Sequence, residues 1–403
     1  MFAINDYIAS YFGVDVAAIT LLLAIVAAYP ASLLYIVVVN KHSTHFKSLY
    51  FLLIGLVILY LSYGLNSIHY LVNCCFCYCT LKWLPGKWAV IFNFIFTFTY
   101  LMTGYWLNQV EWNYSITWTM PQCVLTLRLI AISFDIFDGT TSKKEVGRHT
   151  ESALPNLPSF HLFMSYCYFP GTLMVGPIIP FLTYVNFLSA TTYNNQAIRI
   201  SIYRLVGGFI SLFVYFYGSM FWPIEYLRSE AFEDLGFWWK LTAMAIVAKV
   251  YLYKYIAVWM MAESACILCG ITYDGINFYQ NTNVNFFKFE FANSFTTIIS
   301  SYNMTTNRFA FKYVYRRLKF LGNIYLSKLI TILFLSVWHG FASGYYFAFS
   351  TEFFLLYFEK HLSSYWHSIQ ERYSLHSDWL KALIWICGRL YTFYFIGYSF
   401  YYS

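Results

Sequence analysis

Charge is what this sequence has least of. Only 11% of its 403 residues are charged, against 60% hydrophobic and 23% aromatic, whereas a soluble globular domain carries about a quarter charged residues. So little polar surface cannot cover a water-exposed body, which excludes a soluble enzyme or binding module. Polar linkers are short as well. The longest polar stretch, residues 139–159, is too small to fold alone, and neither an internal repeat nor a low-complexity segment interrupts the chain. The G-x-S-x-G elbow of serine hydrolases is missing. So are the inverted repeats with paired broken segments that mark many secondary transporters. No basic region precedes the first apolar run, so a cleavable signal peptide is not expected.

What the chain has instead is a series of apolar runs. Residues 17–39, 49–65, 88–107, 120–137, 160–188, 200–222, 238–273, 329–356 and 382–402 are each candidates to cross a bilayer, for which roughly 20 apolar residues suffice. Residues 71–84 are borderline, and the longest runs have room for two pieces each. The expectation is an all-α, multi-pass integral membrane protein with about nine to eleven transmembrane helices. Nothing resembles the short alternating strands of an outer-membrane barrel.

The net charge is +7, and the positive residues cluster. Lys143, Lys144 and Arg148 lie in one loop; Arg308, Lys312, Arg316, Arg317 and Lys319 lie in another. The positive-inside rule places both on the cytosolic side. The acidic stretch 225–234 bears less on orientation, because carboxylates contribute little to that rule. The nine cysteines include a crowd at Cys74, Cys75, Cys77 and Cys79 and a C-x-x-C at Cys266 and Cys269. No paired histidines or second C-x-x-C follow at ligand spacing. A metal site is therefore not expected, and the cysteines read as small apolar residues.

One segment cannot be a plain helix. In "YCYFPGTLMVGPIIPF", residues 166–181, Pro170, Gly171, Gly176, Pro177 and Pro180 interrupt the hydrogen-bond ladder repeatedly. Broken backbone at membrane depth survives only when buried in protein or lining a polar cavity, so a bundle around an internal chamber is expected.

Two polar positions stand out. His339, in "LSVWHGFASGYYF", lies eleven residues beyond Lys328, about 16 Å along a helix at 1.5 Å per residue and near half the roughly 30 Å hydrocarbon thickness. An ionisable side chain there is expensive and is generally turned inward for function. Ser336, Gly340 and Gly344 recur every four residues beside it, a small-residue stripe that would let a helix or substrate approach closely. Upstream, Asn303 opens the segment "NMTTNRFAFKYVYRRLKFLGN". Arg308, Lys312, Arg316 and Lys319 follow at spacings of four, four and three, which predicts one basic helix face. Such a face, on an interfacial helix with its aromatics buried, suits a polyphosphate or anionic headgroups; topology-setting charge is the competing reading. Asn303-Met304-Thr305 and Asn113-Tyr114-Ser115 also fit the glycosylation sequon; a cytosolic Asn303 would escape modification.

Taken in order, these stretches resemble the membrane-bound O-acyltransferase (MBOAT) family, and within it the lysophospholipid acyltransferase branch. The resemblance rests on the entry at Asn303, the helix "YVYRRLKFLGN" and "VWHGFASGYY". It also rests on "AYPASLLY", "WTMPQCVLTLRLI" with "FDIFDG", "YCYFPGTLMVGP" and "ESACILCGITYDG". It implies the MBOAT fold and an enzyme of the endoplasmic reticulum membrane. That enzyme would move a polyunsaturated acyl chain from acyl-CoA to the free hydroxyl of a lysophospholipid, lysophosphatidylcholine first. Acyl-CoA would be a co-substrate, with no resident cofactor, metal or nucleic acid, and a homodimer is one open assembly. His339 and Asn303 fall on the family's histidine and asparagine: His339 as general base, Asn303 orienting it or the thioester, or donating to the oxyanion. Trp338, Tyr345, Glu263 and Asp138 match branch positions and are candidates to bind substrate, Glu263 as a paired intramembrane carboxylate. Arg308, Lys312, Arg316 and Arg317 are candidates to meet the coenzyme A phosphates. The branch usually carries tryptophan where Tyr302 stands, and continues beyond "FYFIGYSFYYS" with an apolar helix and a lysine-rich tail. Within the fold, peptide O-acylation is the rival; outside it, a non-catalytic lipid transporter or scaffold.

Overall fold

The computed structural model describes residues 2–110, 117–141, 151–373 and 377–401. The basic cluster Lys143, Lys144 and Arg148 and the Asn113 sequon lie outside the described residues. In chain order the helices are α1 (Phe2–Phe12), α2 (Val16–Val37), α3 (Thr44–Tyr63), α4 (Ile68–Trp83), α5 (Gly86–Val110) and α6 (Thr119–Thr140). After them come α7 (Phe160–Cys167), α8 (Pro170–Leu173), α9 (Phe181–Ser189), α10 (Gln196–Phe221), α11 (Glu230–Glu233) and α12 (Phe237–Cys269). The last are α13 (Phe286–Glu290), α14 (Phe295–Ile299), α15 (Met304–Phe309), α16 (Ile324–His339), α17 (Ser343–Tyr373) and α18 (Asp378–Tyr401). The described residues form no strand. The protein is an all-α, multi-pass membrane protein.

Six segments among the described residues are long and apolar enough to cross a bilayer: α2, α3 continued through α4, α5, α6, α10 with the turn after it, and α12. The expected nine to eleven counted every apolar run; the runs 160–188, 329–356 and 382–402 supply none of these six. The run 160–188 is cut into α7, α8 and α9. Helix α12, by contrast, runs unbroken for 33 residues where two pieces had room. The run 329–356 breaks after His339, because Gly340 sits at φ 125°, a conformation open to glycine and denied to most side chains.

The chain divides into two compact units, Met1–Val206 with Val258–Thr282, and Gly207–Ala257 with Asn283–Ser403. The first is centred on α6, 78% of whose most apolar window is buried, against 28–33% for α2, α3 and α5. That helix carries Arg128, 1% exposed. Its guanidinium donates to the carbonyls of Tyr166 and Cys167 and lies 4.3 Å from the Tyr166 ring. These carbonyls belong to the broken segment, so Arg128 supplies donors where the helical ladder stops. Pro170, Gly171, Thr172 and Leu173 are all buried. Of the two settings in which broken backbone survives, burial in protein is the one these residues display. The apolar exteriors of α2, α3 and α10, with Leu33, Leu53, Ile210 and Phe213 exposed, suit hydrocarbon rather than water.

Candidate active site

Asn303 and His339 both belong to the second unit. Asn303 stands at the N-terminal end of α15 with φ 49° and ψ 43°, and it is the one non-glycine residue of positive φ among the described residues. Asparagine tolerates the left-handed region better than most residues, but an isolated residue there still has to be held. Its neighbours hold it. Met304 N donates to the Asn283 carbonyl at 2.8 Å, and Asn285 N to the Ser301 carbonyl at 2.9 Å. Asn283 Oδ1 accepts from both the amide and the hydroxyl of Thr305. Asn307 Nδ2 donates to the carbonyls of Ile299 and Tyr302 at 2.8 and 3.0 Å. The Asn303 side chain makes no capping bond to α15, so its carboxamide is not consumed by the helix it begins.

His339 is the last residue of α16, which begins under an Asn323 cap that accepts from Tyr325 N and Leu326 N. The histidine is thus not in mid-helix, and the stripe Ser336, Gly340, Gly344 does not exist as one face. Ser336 is on α16, Gly340 in the break, and Gly344 on α17. Ending the helix at the histidine brings α17 back beside it. The His339 ring lies 4.6 Å from Trp338, 5.1 Å from Tyr345 and 5.2 Å from Phe349, centroid to centroid. Trp338, 7% exposed, and Tyr345 therefore wall the imidazole directly. Helix α15 packs on α16 through Phe309 and Phe334, whose rings are 6.2 Å apart.

The basic segment departs from the single helical face that its spacing predicts. After α15 the backbone widens to a π-helical turn over Ala310–Val314 and then tightens to 3₁₀ geometry over Tyr315–Leu321. A period of 3.6 holds across neither step, so Arg308, Lys312, Arg316 and Lys319 do not share one α-helical stripe. Phe309, Tyr313 and Val314 turn inward, whereas Phe311 and Phe320 stay exposed. Lys312 donates to the Tyr313 hydroxyl at 3.0 Å, and the Arg316 guanidinium lies 4.9 Å from the Phe311 ring. Arg308 is exposed and Arg317 half-buried.

Glu263 and Asp138 belong to the first unit. Glu263, on α12, is fully buried and paired to Arg204 of α10 at 2.5 Å. Asp138 is 3% exposed near the end of α6. Sequence reasoning missed Arg204, Arg128, Lys249 and Arg389. Each is a charge inside an apolar run, Arg389 the sole one in 382–402, and the signal was the cost of a charge at membrane depth, which generally implies a partner.

The chain is a member of the MBOAT, membrane-bound O-acyltransferase family, whose pattern residues 109–401 match; it is a membrane acyltransferase. It is similar to "Lysophospholipid acyltransferase 5" of Drosophila melanogaster, 33% identical, the alignment covering 97% of this chain and 82% of that protein. The proteins of the same name from Bos taurus and Homo sapiens are 31% and 30% identical, over 97% of this chain and 84% and 83% of theirs.

Proposed function

We propose that this protein is an acyl-CoA-dependent lysophospholipid O-acyltransferase, acting on the free sn-2 hydroxyl of lysophosphatidylcholine and related lysophospholipids. The observation that carries the reading is the similarity, along 97% of the chain, to proteins bearing the name lysophospholipid acyltransferase. A polyunsaturated donor and a place in the endoplasmic reticulum membrane follow from the sequence resemblance; a single membrane domain spanning residues 1–403 follows from a sequence without an internal repeat, a low-complexity linker or a polar stretch long enough to fold alone.

In the reaction, the acceptor hydroxyl gives its proton to the His339 imidazole as its oxygen bonds to the thioester carbonyl carbon. The carbon–sulfur bond then breaks. The thiolate of coenzyme A takes up a proton, returned by the imidazolium, and the new ester leaves. A positioned general base contributes about 10²–10⁴-fold. The Asn303 carboxamide has one NH₂ group to donate to the oxygen that becomes negative, and such a donor contributes about 10²–10³-fold. A left-handed backbone held by Asn283, Asn307 and Thr305 supports that role, because a donor acts best when it need not reorganise. The aromatic wall of Trp338, Tyr345 and Phe349 keeps water from the base, which favours transfer to the lipid over hydrolysis. Arg308, Lys312, Arg316 and Arg317 serve the coenzyme A phosphates from the cytosolic side, by charge-assisted hydrogen bonds.

Reconstituted protein supplied with mixed acyl-CoAs and a panel of lysophospholipids should form diacyl phospholipids that mass spectrometry detects. Polyunsaturated acyl chains and choline headgroups should lead. Acyl transfer to a peptide, with no phospholipid product, would overturn the reading.

A further inference from the structure

Asn303 keeps its conformation only if the segment before it stays in place, and that segment is gripped from outside. Helix α18 supplies the principal tie. Arg389 donates to the carbonyls of Glu290 and Ala292, and Thr392 Oγ1 adds a second donor to Ala292 O at 3.2 Å. Gly388 lets the two backbones meet: a Cβ there would fall inside the carbonyl oxygen of Asn293. One residue before Glu290, Phe289 is 2% exposed and stacks on Tyr302 with centroids 5.1 Å apart and planes 28° from parallel. Tyr302 is the residue preceding Asn303. On the other flank, Glu359 of α17 accepts from Phe295 N, from Thr296 N at 3.0 Å and from Thr296 Oγ1 at 2.9 Å. It thereby fixes the start of α14.

Packing does not replace the arginine. A cavity of about 40 Å³, lined by Lys249, Phe289, Ala292, Arg389 and Thr392, lies beside the grip. The two cations are not a vacant anion site. Lys249 is paired with Glu290 at 2.9 Å and lies 4.2 Å from the Phe289 ring, while Arg389 Nη1 donates to the two carbonyls.

We infer that Arg389 is a positioning residue for acyl transfer: through the 290–292 carbonyls and the Phe289–Tyr302 stack, α18 holds Asn303 in its reactive geometry. The inference rests on the proposed role of Asn303 in the reacting site. Misplacement of a reacting group by about 1 Å can cost roughly 100-fold in rate.

The test uses the full chain in proteoliposomes, with steady-state kinetics normalised to folded protein. Arg389→Ala should lower kcat by about 10–100-fold while KM for acyl-CoA stays within about threefold. Arg389→Lys should fall between, because both bonds come from Nη1 and an ammonium carries enough donors for two carbonyls but ends one bond closer to its own backbone. Added guanidinium ion should restore part of the rate of Arg389→Ala and none of any loss in Asn303→Ala. In an Asn303→Ala background, replacing Arg389 should cost less than about twofold more, since coupled residues are non-additive. Should Arg389→Ala fail to fold, Arg389→Lys carries the same cycle. An unchanged kcat, or an equal fractional loss with and without Asn303, would overturn the inference. Absence of transfer by the unaltered chain would instead refute the proposed function.

Discussion

Replacing Glu263 by glutamine tests a buried charge pair in the first unit. The carboxylate is 0% exposed and its partner Arg204 is 12% exposed, with 2.5 Å between Nη2 and Oε2. The substitution keeps the size and removes the charge, so the guanidinium loses the Glu263 carboxylate. Breaking a buried pair from one side costs about 3–5 kcal/mol. The residual exposure of Arg204 and its position 5.9 Å from the Tyr279 ring soften the loss, so about 3 kcal/mol is expected, the low end of that range. Replacing both partners, as Arg204→Met with Glu263→Leu, removes both charges and should return stability to within about 1 kcal/mol of the original or exceed it. Equilibrium unfolding in mixed micelles reads both values. Were Glu263→Gln to unfold within about 0.5 kcal/mol of the unaltered protein, as a change at an indifferent position does, the reasoning would be refuted. A variant that kept its stability but raised KM would return Glu263 to the role of substrate ligand.

Asn303→Gly separates backbone from side chain: glycine accepts φ 49° freely, so stability should hold or rise slightly while acyl transfer falls at least about 100-fold. Unfolding and rate measurements on the same preparation decide it, and an active Asn303→Gly would remove the carboxamide from the chemistry. Gly388→Ala should destabilise by about 1–3 kcal/mol, because its Cβ meets the backbone of Asn293 rather than a side chain that could rotate away; thermal unfolding in detergent checks this. Outside the membrane spans, backbone donors from Asn277 and Ile276 hold the Asp274 carboxyl below its ordinary value. The stability of that turn should therefore be full above about pH 4, the unfolded value, and be lost as pH falls through the folded one. Hydrogen exchange at Ile276 and Asn277 should accelerate over that window and be insensitive to pH-driven opening in Asp274→Asn.

What could be read in the sequence was what depends on composition and on near neighbours. The long apolar runs became helices, and the prolines and glycines of residues 166–181 marked a broken segment correctly. Glu263 was singled out, but Arg204, 59 residues away, was not, since no local period relates them. The same holds for Arg389, whose carbonyl partners lie 97 and 99 residues earlier. Local spacing misled at two places. The stripe from Ser336 to Gly344 presumed a helix that Gly340 ends. The basic face from Arg308 to Lys319 presumed a constant 3.6-residue turn, where the backbone passes through π and 3₁₀ geometry. The left-handed state of Asn303 was also out of reach, because it is imposed by Asn283 and Asn307 rather than by any turn signal in the sequence.

The central claim is that His339 moves the proton in acyl-CoA-dependent acylation of a lysophospholipid. The most direct measurement is the single-turnover rate of labelled acyl transfer to lysophosphatidylcholine by purified protein in proteoliposomes, with and without His339→Ala. The account predicts robust transfer by the unaltered chain and a loss of at least about 100-fold in the variant at equal folded protein. Transfer by His339→Ala at the unaltered rate would contradict it.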